Sequence, residues 1–211
     1  LYRPELGVGL APVSDAVPEP LLISEVQSRV ERELDRLGPV IDELGRRFTE
    51  AGHVIALVGG PVRDAMLGRL HNDLDFTTTA RPEETERLLR GWVDAIWDMG
   101  REFGTIGAQV GGWQVEITTY RSESYDPTSR KPEVNYGDSL EGDLSRRDFT
   151  VNAMALTLHD RGFVDPFGGL VDLAQGVLRT PGTAEQSFSD DPLRMMRAAR
   201  FAAQLGFTPA P

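Results

Sequence analysis

From Leu22 to about Gly52 the apolar residues Ile23, Val26, Val30, Leu34 and Leu37 recur at intervals of three or four, the spacing of one helix face. Gly38-Pro39 interrupts that pattern, so it predicts two helices, the second running from Val40 to about Ala51. H-V-I-A-L-V at 53–58 is short, apolar and β-branched, and predicts a buried strand. Gly59-Gly60 follows, then P-V-R-D-A-M-L-G as a helix with Pro61 at its first position, where a missing N–H costs nothing. L-D-F-T-T-T (74–79) predicts a second strand and residues 80–90 a surface helix. Further short strands are expected around Ala95–Met99, Thr105–Val110 and Trp113–Tyr120.

Residues 121–143 carry little periodicity and two prolines, and predict a long polar loop. Helical pattern returns at 146–157, F-V-D-P-F-G-G (163–169) turns the chain, and a last helix opens at S-D-D-P-L-R. Residues 1–21, rich in Pro and Gly, read as a poorly ordered leader. The chain starts with Leu, so its natural start is expected to lie upstream. Its 211 residues suit one large or two small domains, and no internal repeat is present.

Composition narrows the chemistry. No run approaches the roughly 18 apolar residues of a membrane span, and no signal-peptide pattern opens the chain, so a cytoplasmic protein is expected. Cysteine is absent and the three histidines (His53, His71, His159) are scattered, which excludes disulfides and disfavours zinc. A bound metal is therefore expected on oxygen ligands, the preference of magnesium. The net charge of −11 argues against a broad basic surface for nucleic acid but leaves room for a local arginine cluster.

N-D-L-D-F (72–76) places Asp73 and Asp75 on one strand face, with Leu74 and Phe76 on the other. Like charges this close repel unless a cation sits between them, so the pair reads either as half a metal site or as a solvated strand end. Q-V-E-I-T-T-Y offers Glu116 as a third carboxylate on another strand. Gly59-Gly60 lies between a strand and a helix, where backbone N–H groups attract phosphate, with Arg63 one turn on; an ordinary tight turn is the plainer reading. S-R-R-D-F-T-V-N-A (145–153) puts Arg146, Arg147 and Asp148 at an expected helix start, where arginine is electrostatically odd unless it reaches a phosphate and where Asp148 can serve as a cap. In the last helix Asp191, Arg194, Arg197 and Arg200 recur every three residues among Leu, Met, Ala and Phe. The arginines are expected to face a cleft that holds anions, since unpaired burial is costly; a surface salt-bridge ladder is the alternative. Asp191 and Arg194 together present acceptors and donors suited to the edge of a base.

G-G-P-V-R-D (59–64), D-L-D (73–75), R-R-D-F-T-V-N-A (146–153) and D-D-P-L-R-x-x-R-x-x-R-F (190–201), in this order, resemble the successive motifs of the class II tRNA nucleotidyltransferase and bacterial poly(A) polymerase family. The resemblance covers roughly residues 54–205. It implies an α+β fold: a polymerase-β-like catalytic head, a mixed sheet with helices, over 22–180, and the beginning of a helical neck over 181–211. By position, Asp73 and Asp75 match metal ligands for two Mg²⁺ (or Mn²⁺), and Gly60 and Arg63 match the nucleotide-binding turn. Arg147 with Asp148 matches the triphosphate and ribose motif, Asp191 and Arg194 the amino-acid template for C and A, and Arg197 and Arg200 the rest of the nucleotide face. The loop at 121–143 sits where the family has a flexible loop. The template motif usually begins Glu-Asp, whereas Asp190-Asp191 stands here.

The implied activity is addition of C, C and A to tRNA 3′ ends from CTP and ATP, with pyrophosphate released. Poly(A) addition is the nearest alternative; its branch tends to carry two basic residues where Gly100-Arg101-Glu102-Phe103 has an acid. A non-catalytic nucleotide- or RNA-binding module of the same fold is the alternative of another class.

Overall fold

The computed structural model describes residues 23–124, 133–137 and 139–210; the expected leader at 1–21 and the middle of the expected polar loop lie outside them. Helix α1 (Ile23–Glu50) leads into strand β1 (Ile55–Val58), helix α2 (Gly60–Met66) and strand β2 (Asp73–Thr78). Helix α3 (Pro82–Leu89) and strands β3 (Ala95–Trp97), β4 (Thr105–Val110) and β5 (Trp113–Thr119) follow. Strands β6 (Arg121–Ser124) and β7 (Glu133–Tyr136) pair antiparallel before helix α4 (Leu140–Ser145). Strands β8 (Ala155–Thr157) and β9 (Phe163–Val164), helix α5 (Gly169–Gln175) and strand β10 (Val177–Leu178) come next. Helices α6 (Ala184–Asp190) and α7 (Leu193–Leu205) and strand β11 (Thr208–Pro209) complete the described chain.

Seven strands form one mixed sheet in the order β3-β4-β5-β2-β1-β8-β9, and only β2 and β5 run parallel. This is the α+β class expected from the sequence. Alternation along the fully buried β1 sends Ile55 and Leu57 to one face and Ala56 and Val58 to the other. The first face carries the main core, where Leu74, Phe76, Ile106 and Ile117 meet Leu37, Ile41, Leu44 and Phe48 of α1. Among the described residues the second face carries a smaller cluster of Ala56, Val58, Leu144, Ala153 and Ala155, with Leu140, Val164 and Phe167 partly buried against it. Asp73 and Asp75 alternate out of the main core, so they lie on this thinly covered face.

Three expectations are corrected. Helix α1 does not break at Gly38-Pro39; it is one helix of 28 residues with Pro39 inside it. Leu37, Val40, Ile41, Leu44 and Phe48 form one stripe, each 5% exposed or less. Burial at about 1.5–3 kcal/mol per side chain outweighs the roughly 3 kcal/mol that an interior proline costs. Residues 146–157 are not a helix: α4 ends at Ser145, a single 3₁₀ turn covers Thr150–Asn152, and β8 begins at Ala155. There the Asp148 carboxylate accepts from the Phe149 N–H (2.9 Å) and from Asn152 Nδ2 (2.9 Å), a local arrangement that competes with helical bonding. The polar loop expected at 121–143 holds, in its described parts, the paired strands β6 and β7 and the first residues of α4. The last helix opens at Leu193, inside the expected S-D-D-P-L-R, and Pro192 disfavours a helical Asp191, which is extended at φ −141° and ends the preceding α6.

Packing runs unbroken across the expected head–neck boundary at 180–181. Phe201 and Phe207 belong to the main core, and Phe201 meets Phe149 edge-to-face at 5.8 Å. Strand β11 pairs parallel with β10 and returns the chain to the sheet side of the molecule.

Pro39 is exposed, so its ring contributes little packing. Replacing it with alanine restores the missing helical N–H, and Pro39→Ala is expected to raise stability by about 1–3 kcal/mol, read as a higher midpoint in chemical denaturation.

Candidate active site

A cleft of about 510 Å³ opens on the thin face of the sheet, between the β1–α2 turn, β2, the turn after α4, and α7. It collects Gly59, Gly60, Arg63, Asp75, Arg147, Asp148, Asp191, Arg194, Arg197 and Arg200 from the sequence-predicted set. Asp73 and Glu116 stand outside its lining, while Arg146, Asn152, Phe201 and Gln204 join it.

The floor begins at Gly59, with φ 74° and ψ −133°. The positive φ favours glycine, and a Cβ there would stand 2.7 Å from Arg147 Nη1, so that guanidinium would have to shift. Its N–H donates to the Met154 carbonyl at 3.3 Å, so the turn does not offer both of its amides to a ligand.

The carboxylates come from the central strands. Asp75 lies in register with Glu116 across the parallel β2–β5 ladder, and Asp73 with Gln114. Solvent reaches Asp75 from the cleft, while protein surrounds its other sides. That burial raises its pKa; the Arg147 charge opposes the rise, and the like charges of Glu116 and Asp73 add to it. Among the described residues no three acidic or histidine groups converge to hold an ion by themselves. The donor set still fits a hard divalent ion bound through one or two carboxylates, with water and phosphate oxygens as its remaining ligands.

The wall is a connected network. Arg63, 7% exposed, pairs with Asp64 (Nη2 to Oδ2 2.9 Å) and donates Nη1 to Asn152 Oδ1. Asn152 donates to Asp148 Oδ1, and Asp148 Oδ2 accepts from Arg197 Nε at 2.7 Å. Arg63, Arg197 and Arg200 surround the Phe201 ring at 5.1, 5.7 and 5.0 Å from its centroid. Beneath the turn, Asp143 is wholly buried and pairs with Arg146 and Arg147.

The three arginines of helix α7 all line the cleft but differ in burial. Arg194 alone is buried, at 9% exposure, and it donates to Ser187 Oγ (2.7 Å) and the Arg146 carbonyl (2.6 Å). Asp191 stands 4.0 Å from the Arg194 Nε and accepts the Leu193 N–H at 3.0 Å. Arg197 keeps 47% of its side chain exposed, and Arg200 is exposed. Leu193, Met195 and Met196 are exposed too, so the apolar composition of this helix does not mean burial all round.

Asn152, Asp143 and Phe201 were missed as site residues from the sequence. Asn152 and Phe201 lie inside quoted motifs, and the spacing of Asp148 to Asn152 is the available signal. For Asp143 the signal is the spacing to Arg146 and Arg147, three and four residues on, within a stretch that otherwise reads as polar loop.

Residues 55–179 match the family described as the poly(A) polymerase head domain. The CCA-adding enzyme of Bacillus subtilis is 47% identical over 167 residues, covering 79% of this chain and 41% of that protein. Among solved structures, the Bacillus stearothermophilus CCA-adding enzyme in complex with CTP matches with TM-score 0.71 and 36% identity, covering 83% of this chain and 41% of that one. A tRNA nucleotidyltransferase complexed with a primer tRNA and an incoming ATP analog matches with TM-score 0.66 and 36% identity, covering 79% and 46%. The chain spans about two fifths of the length of the curated relatives it matches.

Gly59→Ala forces a side chain into a positive-φ position and against Arg147. It is expected to lower stability by about 1–3 kcal/mol in chemical denaturation, with partial recovery when Arg147→Ala is added.

Proposed function

The chain belongs to the poly(A) polymerase head-domain family, and from that premise we propose that it is the catalytic head of a template-independent RNA nucleotidyltransferase that adds C, C and A to tRNA 3′ ends. One observation carries the reading. In a chain of net charge −11, a single cleft gathers six arginines, Arg63, Arg146, Arg147, Arg194, Arg197 and Arg200, against three aspartates. Its surplus of positive charge suits a triphosphate, and Asp75 opens into the same space.

In this reading the 3′-terminal ribose hydroxyl forms a bond to the α-phosphorus of CTP or ATP, and the bond to the leaving pyrophosphate breaks. Enzymes of this family generally use divalent metals; two Mg²⁺ held by Asp73 and Asp75, with Glu116 beside Asp75, would activate the attacking oxygen and steady the leaving one. Arg147 faces the Gly59-Gly60 turn and takes phosphate oxygens there. Asp148 is held by Asn152 and Arg197, so it is oriented for the ribose. Arg63, tied to Asp64, Asn152 and Phe201, chiefly braces α2 against α7, with less of its fork left for ligand. Asp191 and Arg194, at the mouth of α7, face the base, and residues 181–211 form the start of the neck. With no covalent step for the protein to make, rate enhancement comes from positioning and fixed charge.

Poly(A) addition is the second reading, favoured by the description of the matched family. Against it, the acid of Gly100-Arg101-Glu102-Phe103 remains, and the Arg101 guanidinium beside it is engaged by Glu83 and Glu86 on α3.

The test gives the protein, alone and fused to the remaining length of the Bacillus subtilis relative, a tRNA lacking its 3′ end with Mg²⁺, CTP and ATP, and sequences the products. A tail of C-C-A that stops is expected, and Asp75→Ala should lower its rate at least about a hundredfold. A run of A alone makes the protein a poly(A) polymerase. Nucleotide binding without addition in either form leaves the binding module.

A further inference from the structure

We propose that Asp143 is the positioning residue of the cleft: its carboxylate grips one arm of the Arg147 guanidinium and thereby aims the other arm at the Gly59 turn. The inference rests on the nucleotide reading for the identity of the ligand. Its geometry stands on the chain alone.

Asp143 is fully buried, with 0% exposure. A carboxylate is retained in such a place only when its charge is met. Here its two oxygens divide their partners. Oδ1 accepts from Arg146 Nη2 (2.9 Å) and Nε (3.2 Å) and from the backbone N–H of Arg121 (3.4 Å), at the start of β6. Oδ2 accepts from Arg147 Nη2 at 3.2 Å. The two arginines follow Asp143 by three and four residues, so the end of α4 and the turn after it place both over the same carboxylate. Burial by itself would raise the Asp143 pKa; the charges of Arg146 and Arg147 and their hydrogen bonds outweigh it and hold the pKa below its ordinary value.

Arg147 has little else to fix it. Its Nε is buried with no hydrogen-bond partner, and among the described residues Asp143 is its one carboxylate. Its Nη1 lies where a Cβ on Gly59 would approach to 2.7 Å. The guanidinium therefore spans from a buried anchor to the floor of the cleft, and its charge is felt at Asp75. A planar fork does this because its two arms keep a fixed angle; a flexible ammonium does not.

The roles separate in a double-mutant cycle on binding. Asp143→Asn keeps the size of the side chain but replaces one acceptor oxygen with a donor, so one arginine loses its partner. Titration of CTP and of inorganic tripolyphosphate is measured by calorimetry for the wild type, Asp143→Asn, Arg147→Ala and the double variant, with thermal melting of each. Asp143→Asn and Arg147→Ala are each expected to weaken both ligands about tenfold, and the double variant to bind no more weakly than Arg147→Ala alone. Additive losses in the cycle, or unchanged tripolyphosphate binding in Asp143→Asn, overturn the assignment. Arg147→Lys keeps the charge without the fork and is expected to lose as much as Arg147→Ala; it decides the matter if Asp143→Asn does not fold, and full binding by it overturns the proposal. If the wild type binds neither ligand, the nucleotide reading falls and the assignment falls with it. Strong wild-type binding with no coupling removes the assignment alone.

Discussion

Asp75 and Glu116 face each other across a parallel ladder whose strands run about 4.8 Å apart, and Asp73 is the next outward residue on the same strand. The protein packed around Asp75 raises its pKa, and the like charges of Glu116 and Asp73 add to the rise. Arg147 is the protein's own partial answer, close enough to lower the cost without neutralising it. The arrangement around the cleft follows from that unfinished balance: a floor kept bare by Gly59, a guanidinium brought over it, and a buried acid holding the guanidinium in turn.

The sheet makes room for this by covering its two faces unequally. Helix α1 seals one face with large side chains, while among the described residues the other is packed by alanines, Val58 and Leu144, with Leu140, Val164 and Phe167 partly buried against them. A second thick layer of Leu and Phe there would bury the carboxylates and close the space a ligand needs. The small side chains leave volume for a ligand and keep the acids within reach of water. The strand pairing that builds the core thus also places the charged groups, because alternation sends one residue in and the next out.

Arginine is used here in two ways that composition does not separate. Arg63 and Arg194 are buried in the cleft wall and also meet oxygens of the protein, so they tie α2, the turn after α4, and α7 together while still lining the cleft. Arg197 and Arg200 keep exposed guanidinium groups over the Phe201 ring; Arg197 is paired with Asp148, and Arg200 lines the cleft beside it. Phe201 connects the two sets, since its ring packs in the main core beside Phe149 while its faces and edge support three arginines. The helices after residue 180 consequently form one packed body with the sheet.

Much of this was legible in the residues. The strands at 53–58, 74–79, 105–110 and 113–120 follow from short apolar or β-branched runs, and the outward face of Asp73 and Asp75 follows from alternation within a single strand. Both are local properties, carried by neighbours in the chain. The single helix through Pro39 was not legible, because burial of Leu37 to Phe48 against a sheet built from later residues decides it. The structure at 146–157 was likewise settled by tertiary partners: β8 exists because it pairs with β1, almost a hundred residues earlier in the chain. The arginines divide in the same way. Sequence spacing determined that Arg194, Arg197 and Arg200 share a ridge, but only the folded chain brings Asp148 to Arg197 across 49 residues and Ser187 to Arg194, since a guanidinium's role is set by whichever oxygen the fold places within 3 Å of it.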